Sequence, residues 1–164
     1  MKTFLILLLL ATPHFSPAKA QEELTPPTAI LDCLRTVGGD LEFRSDLNPF
    51  YLRGDLLGTG KPVYAVGIRR KSPLQVGVAL CPSEGAPIVL MPGLDNRFTS
   101  KDLTVTHFVA PHWEVYTRAQ ARDLLKNNHK MGRPLGESIA MMWEDGIGLL
   151  FFNGKKFQWT PALQ

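Results

Sequence analysis

GDLLGTGKPVYAV, residues 54–66, is the stretch on which the reading of this chain turns. Asp55 opens a loop, Gly58 and Gly60 supply bends, and Lys61-Pro62 leads into the alternating run 63–68, which reads as a strand. The spacing is that of a calcium-binding turn of the pattern D-x-[DN]-G-D-G-x-x-D, in which oxygen-bearing side chains stand at the first, third, fifth and ninth positions. Here those positions hold Asp55, Leu57, Thr59 and Val63. Calcium takes roughly six to eight oxygen ligands and is held mainly by carboxylates. A single carboxylate is too few, so the stretch is expected to be a turn feeding a central strand, with no metal and no cofactor.

Working outward, residues 28–37 carry Ile30, Cys33, Leu34 and Val37 at the i, i+3, i+4, i+7 spacing of one helical face. Pro26-Pro27 suits the entrance of that helix and Gly38-Gly39 its exit. A strand-rich body follows, with strands expected at 41–43, 50–53, 63–69, 75–80, 87–91 and 103–109. Thr117 reads as the N-cap of a second helix over 118–127. Strands at 138–143, 148–152 and 155–159 close the chain, the last two joined by an Asn153-Gly154 turn of type I′. The fold class this implies is α+β: one antiparallel or mixed sheet with two helices packed on one face.

The first twenty residues read as a signal peptide. Lys2 begins it, the apolar run 4–11 follows, and Ala18-Lys19-Ala20 is a small-x-small cleavage site. That run is far shorter than the roughly 20 apolar residues that span a bilayer, so no membrane span is expected. Cleavage after Ala20 would leave a flexible leader, 21–27, and one domain, 28–164, in the periplasm or secreted. It would also remove Lys2 and Lys19, leaving 16 basic against 15 acidic residues, a net of +1. So small a net charge gives no electrostatic reason to bind nucleic acid. Arg69-Arg70-Lys71 reads as a solvated turn at a strand end.

Cys33 and Cys81 are the only cysteines, and both follow the signal segment. An even count in an oxidising compartment favours a disulfide, the alternative being two buried thiols. His107, His112 and Glu114 lie close in sequence without a metal-ligand spacing, and Pro111 interrupts them. His129 falls in a polar loop, and Glu144-Asp145 reads as a charged turn. No serine stands in a G-x-S-x-G elbow, Ser83 in CPSEG included. Catalysis is not expected. Phe151 and Phe152 must face opposite sides of their strand, whereas Phe157 and Trp159 must share one.

Three blocks of the chain carry a resemblance: 33–40; Tyr51 to Asp55 with Gly58, Gly60, Lys61, Pro62, Tyr64, Ala65 and Val66; and 136–140 with 148–159. Together they resemble small exported bacterial proteins of unknown function, and the middle block is similar to the loop and strand of the FG-GAP/VCBS type. The resemblance implies a Gram-negative periplasmic or secreted location and supplies no substrate, partner or catalytic residue. The function expected is an exported non-enzymatic binding or structural domain whose partner is an unknown protein or small ligand. The alternative is a periplasmic inhibitor or immunity-type protein acting on a cell-wall-degrading enzyme.

Overall fold

The computed structural model describes residues 26–70, 75–91, 112–127, 132–144 and 146–163. The strand expected at 103–109, the leader before residue 26 and the signal segment lie outside them. Helix α1 (Thr28–Val37) has the predicted bounds and ends at Gly38, whose φ of 115° suits only glycine. Strands β1 (Leu41–Phe43), β2 (Tyr51–Gly54), β3 (Val63–Arg70), β4 (Gln75–Pro82) and β5 (Ile88–Leu90) follow. Next come β6 (His112–Tyr116), α2 (Arg118–Leu124), β7 (Ser138–Trp143), β8 (Gly146–Phe152) and β9 (Phe157–Leu163).

The strands form two antiparallel sheets rather than one. The first runs β1-β3-β4-β5, with β2 also paired to β3; the second runs β6-β7-β8-β9. The physical reason is visible in β3 and β4, which are apolar on both faces. Val63, Ala65, Val78 and Leu80 face one way, and Val66, Ile68, Ala79 and Cys81 the other. Both sides of such strands have to be covered. The first face stacks on Trp113, Ile139, Met141, Leu150, Phe157 and Trp159 of the second sheet, and this inter-sheet layer is the largest part of the core. The opposite face is covered by Ile30 and Cys33 of α1.

The helices therefore do not share a face. Helix α2 covers the outer side of the second sheet, where Ala121 and Leu125 meet Ala140, Leu149 and Phe151. The layers run helix, sheet, sheet, helix, and the fold is mostly β. Alternation places Phe151 under α2 and Phe152 against the inter-sheet layer, while Phe157 and Trp159 share the inner face, as the spacing predicts. Phe152 packs on its cross-strand partner Phe157 with ring centroids 5.1 Å apart and the rings tilted by 43°. Trp159 meets Trp143 edge-on at 5.9 Å, lying over Gly148, where any Cβ would overlap the Trp159 ring.

Three local expectations are corrected. Strand β6 was not among the predicted strands, although Trp113 and Val115 alternate inward with His112 and Glu114 outward. Helix α2 ends at Leu124, three residues early, although Thr117 caps it in a capping box with Gln120. The Asn153-Gly154 hairpin is not of type I′, which needs positive φ at both residues; among the described residues no non-glycine has it. Instead Phe152 pairs with Phe157 across a four-residue loop. The Asn153 side-chain oxygen accepts the amides of Lys155 and Lys156, both at 3.0 Å, and so occupies the first position of an Asx turn.

A strap, residues 44–50, ties the sheets together at one end. Leu47 fills the space over Gly67, Asn48 bridges to His112, and the Trp113 indole N–H donates to the Pro49 carbonyl at 2.6 Å. Arg44 is buried and is paired with Asp46. The hydrogen bond from Arg44 holds the Asp46 carboxyl below its ordinary pKa, against an opposing desolvation. Arg69 and Arg70 belong to β3 rather than to a turn, and are neutralised by Glu42 and Asp40 at 3.5 Å and 2.6 Å.

Candidate functional site

The loop between β2 and β3 closes on its own carboxylate. Asp55 Oδ1 accepts the amide of Thr59 at 2.9 Å, and Oδ2 accepts that of Gly60 at 3.0 Å. Gly58 and Gly60 take φ of 69° and 78°, which turns those amides inward. Both carboxylate oxygens of Asp55 thus accept backbone N–H groups of its own loop. Among the described residues no group of three or more His, Cys, Asp or Glu side chains is placed to hold a metal. The loop also joins the two sheets. The Asp55 amide donates to Glu137 Oε2 at 2.7 Å, and the Glu137 amide donates back to the Asp55 carbonyl at 2.9 Å. Gly136 is required between them, because a Cβ there would overlap the Asp55 carbonyl oxygen.

Replacing Asp55 by Ala removes the acceptor for two amides and is expected to destabilise the protein by about 1–2 kcal/mol. Calcium or a chelator should leave the melting temperature of the parent unchanged. A calcium-dependent rise that disappears in Asp55→Ala would reverse this reading of the loop.

Register brings several connections to the same end of the sandwich. Gly54, Val63 and Pro82 lie in one cross-strand row of the first sheet, and Tyr116, Ser138, Phe151 and Gln158 in one row of the second. The β2–β3 loop, the β4–β5 turn, residues 132–137 and the β8–β9 loop therefore gather there. The Leu135 amide donates to the Phe152 carbonyl at 2.8 Å, and Gln158 Oε1 accepts the Gly132 amide at 3.1 Å. Lys61 reaches across to Glu84 at 2.8 Å.

A cleft of about 450 Å³ opens beside this end, between α1 and the β4–β5 turn. Its walls carry Thr28, Asp32 and Thr36 from the helix and Ser83 with Pro82 and Pro87 from the turn. The Cys33–Cys81 disulfide holds the walls together, with Cα atoms 5.6 Å apart. The expected pairing is thus present, and it joins α1 to the last turn-facing stretch of β4. Such a bridge fits an oxidising compartment.

No known family, curated protein or solved structure matches this chain.

The other residues singled out from the sequence are dispersed. His112 and Glu114 lie on the outward face of β6, both exposed; His107, His129 and Asp145 are outside the described residues. Glu144 stands exposed in the turn between β7 and β8. Ser83 lies on the rim of the cleft. Sequence reasoning missed Glu137, whose carboxylate caps an amide 82 positions away. It also missed Leu135, the one large apolar side chain exposed among the described residues, at 40%. The flanking Gly132, Pro134 and Gly136 marked this stretch as a loop but gave no sign of its partner. No helix among the described residues is long and apolar enough to cross a membrane.

Proposed function

We propose that this chain is an exported binding domain that takes a small ligand or short peptide segment in the cleft between α1 and the β4–β5 turn. The observation that carries the reading is the cleft itself, about 450 Å³ in volume, pinned by a disulfide between its walls. Ligand sites are concavities of roughly 300–1,000 Å³ in which a few polar groups fix orientation. Here Thr28 and Ser83 offer hydroxyls beside proline and alanine surface, and Thr36, whose hydroxyl donates to the Asp32 carbonyl, offers an acceptor. A bridge that fixes both walls lowers the entropy lost on binding. Export is supported by the signal-like segment 1–20 and fits the bridge.

The test is a thermal-shift screen of the oxidised protein against short peptides and saccharides, repeated on Ala86→Trp, which fills the cleft from its exposed rim. A ligand near 100 times its Kd should stabilise the parent by about 2.7 kcal/mol, a shift of several degrees. Ala86→Trp should lose that shift while keeping its own melting temperature. Equal shifts in both proteins would place the ligand elsewhere and sink the proposal.

A further inference from the structure

The charges of this domain are sorted by position. Among the described residues of the first half, Arg35, Arg44, Lys61, Arg69 and Arg70 each have a carboxylate partner, whereas Arg53 lies over the Tyr64 ring. In the second half Lys126 alone has one, Asp123. Arg118, Arg122, Arg133, Lys155 and Lys156 have none among the described residues. Arg122 lies one turn along α2, and the other four stand at the end where the loops gather. Arg118 follows β6 at the head of α2, Arg133 adjoins Gly132, which is bonded to Gln158, and the two lysines lie in the β8–β9 loop. The carboxylates at that end are already engaged: Asp55 and Glu137 accept backbone amides, and Glu84 pairs with Lys61. Asp55 and Glu137 keep their charge, but Lys61, Arg118, Arg133, Lys155 and Lys156 outnumber Asp55, Glu84 and Glu137, so this end carries a net positive charge in a chain whose overall charge is small.

Leu135 stands among these cations. Its side chain rests against the backbones of Gly58 and Gly154; an ideal Cβ on Gly154 would lie 3.8 Å from Leu135 Cδ2. Neither glycine has a side chain to cover it, and Leu135 stays 40% exposed. Its backbone is held by the bond to Phe152, so the side chain is presented from a fixed support.

We propose that this loop end is a docking surface for an anionic lipid bilayer, with Leu135 entering the interfacial region and Arg118, Arg133, Lys155 and Lys156 meeting the headgroups. An exposed apolar side chain at an end with an excess of cations gains most from a partner that is apolar and anionic at once. A bilayer surface supplies both without a matched pocket, whereas an acidic protein must build one around Leu135. Peripheral binding of this kind adds apolar insertion to attraction for anionic lipid, and each signal alone is weak. The mode needs no membrane-crossing helix. Docking in this way would also place the mouth of the cleft close to the bilayer surface, since the β4–β5 turn belongs to the same end.

The experiment is co-sedimentation of the oxidised protein with vesicles of phosphatidylglycerol and phosphatidylcholine, beside vesicles of phosphatidylcholine alone. Partitioning should require the anionic lipid and fall with added salt. Lys155→Gln/Lys156→Gln should lower the partition coefficient about twenty-fivefold, at roughly fivefold per cation. Leu135→Ser should lower it about fivefold for the apolar area withdrawn. These side chains lie at the surface or on its edge, and an unchanged melting temperature confirms that each variant is folded. Equal binding to neutral vesicles, or a double variant that partitions like the parent, would overturn the proposal. So would binding to soluble polyglutamate without binding to vesicles, which would mark an acidic protein as the partner. Vesicle binding is read independently of Ala86→Trp, so failure here leaves the cleft proposal standing, and the reverse also holds.

Discussion

Removing the Cys33–Cys81 bridge is expected to lower the stability of the folded chain by about 4 kcal/mol, the loop-closure value for a sequence separation of 48. The pair Cys33→Ala/Cys81→Ala is the suitable variant, because both positions are buried, at 8% and 1% exposure, and serine would add unpaired hydroxyls. For a chain of this size the melting temperature should fall by about 10–15 °C. Reductant should produce a drop of similar size in the parent and none in the variant. Beyond that loop-closure value, α1 has few other anchors: Ile30 is the one other fully buried residue on its inward face, and the helix covers the outer side of β3 and β4. A melting temperature that barely moved would mean that Ile30 and its neighbours hold the helix without the bridge. In that case the cleft would not depend on the disulfide for its shape.

Trp113→Ala should be of comparable severity, about 3–5 kcal/mol, measured by urea unfolding. The side chain is 1% exposed in the layer between the sheets, and its indole N–H reaches the strap at Pro49. Packing carries most of that value. Pro49 is exposed, so water can replace the lost donor, and Trp113→Phe should cost only about 0.5–1.5 kcal/mol beyond the smaller ring. Equal losses in the two variants would shift the weight from packing to the hydrogen bond. Domains are stable by only about 5–15 kcal/mol, so either the alanine variant or loss of the bridge removes a large share of the total.

Elements were legible where the signal is local. Proline and glycine bracket α1, alternation marks β3, β4, β7 and β8, and their observed bounds lie within two residues of those expected. The same strands contained an unread clue. VYAVGI and VGVALC are apolar on both faces, which a single sheet covered on one side cannot accommodate. The Asn153-Gly154 hairpin was legible as a hairpin, but its loop length was not. Asn153 is as suited to opening an Asx turn as to left-handed backbone, and the pairing of Phe152 with Phe157 goes with the former.

The candidate site was less legible than the fold. Asp55, Gly58 and Gly60 were visible from their spacing, and the bridge from the cysteine count. Glu137, Leu135 and the walls of the cleft were not, because each matters through a neighbour far away in the chain.

What the sequence determined by itself was therefore most of the elements, β6 excepted, and the pair of cysteines that forms the bridge. Each follows from residue types over a few positions: helical or alternating periodicity and an even cysteine count. The tertiary structure alone decided that there are two sheets, that the helices lie on opposite outer faces, and that the GDLLGTG loop clasps Glu137. It also set an excess of cations and one exposed leucine at a single end. The reason is that stacking is chosen by burial summed over faces distant in sequence, and no local pattern records which faces will meet.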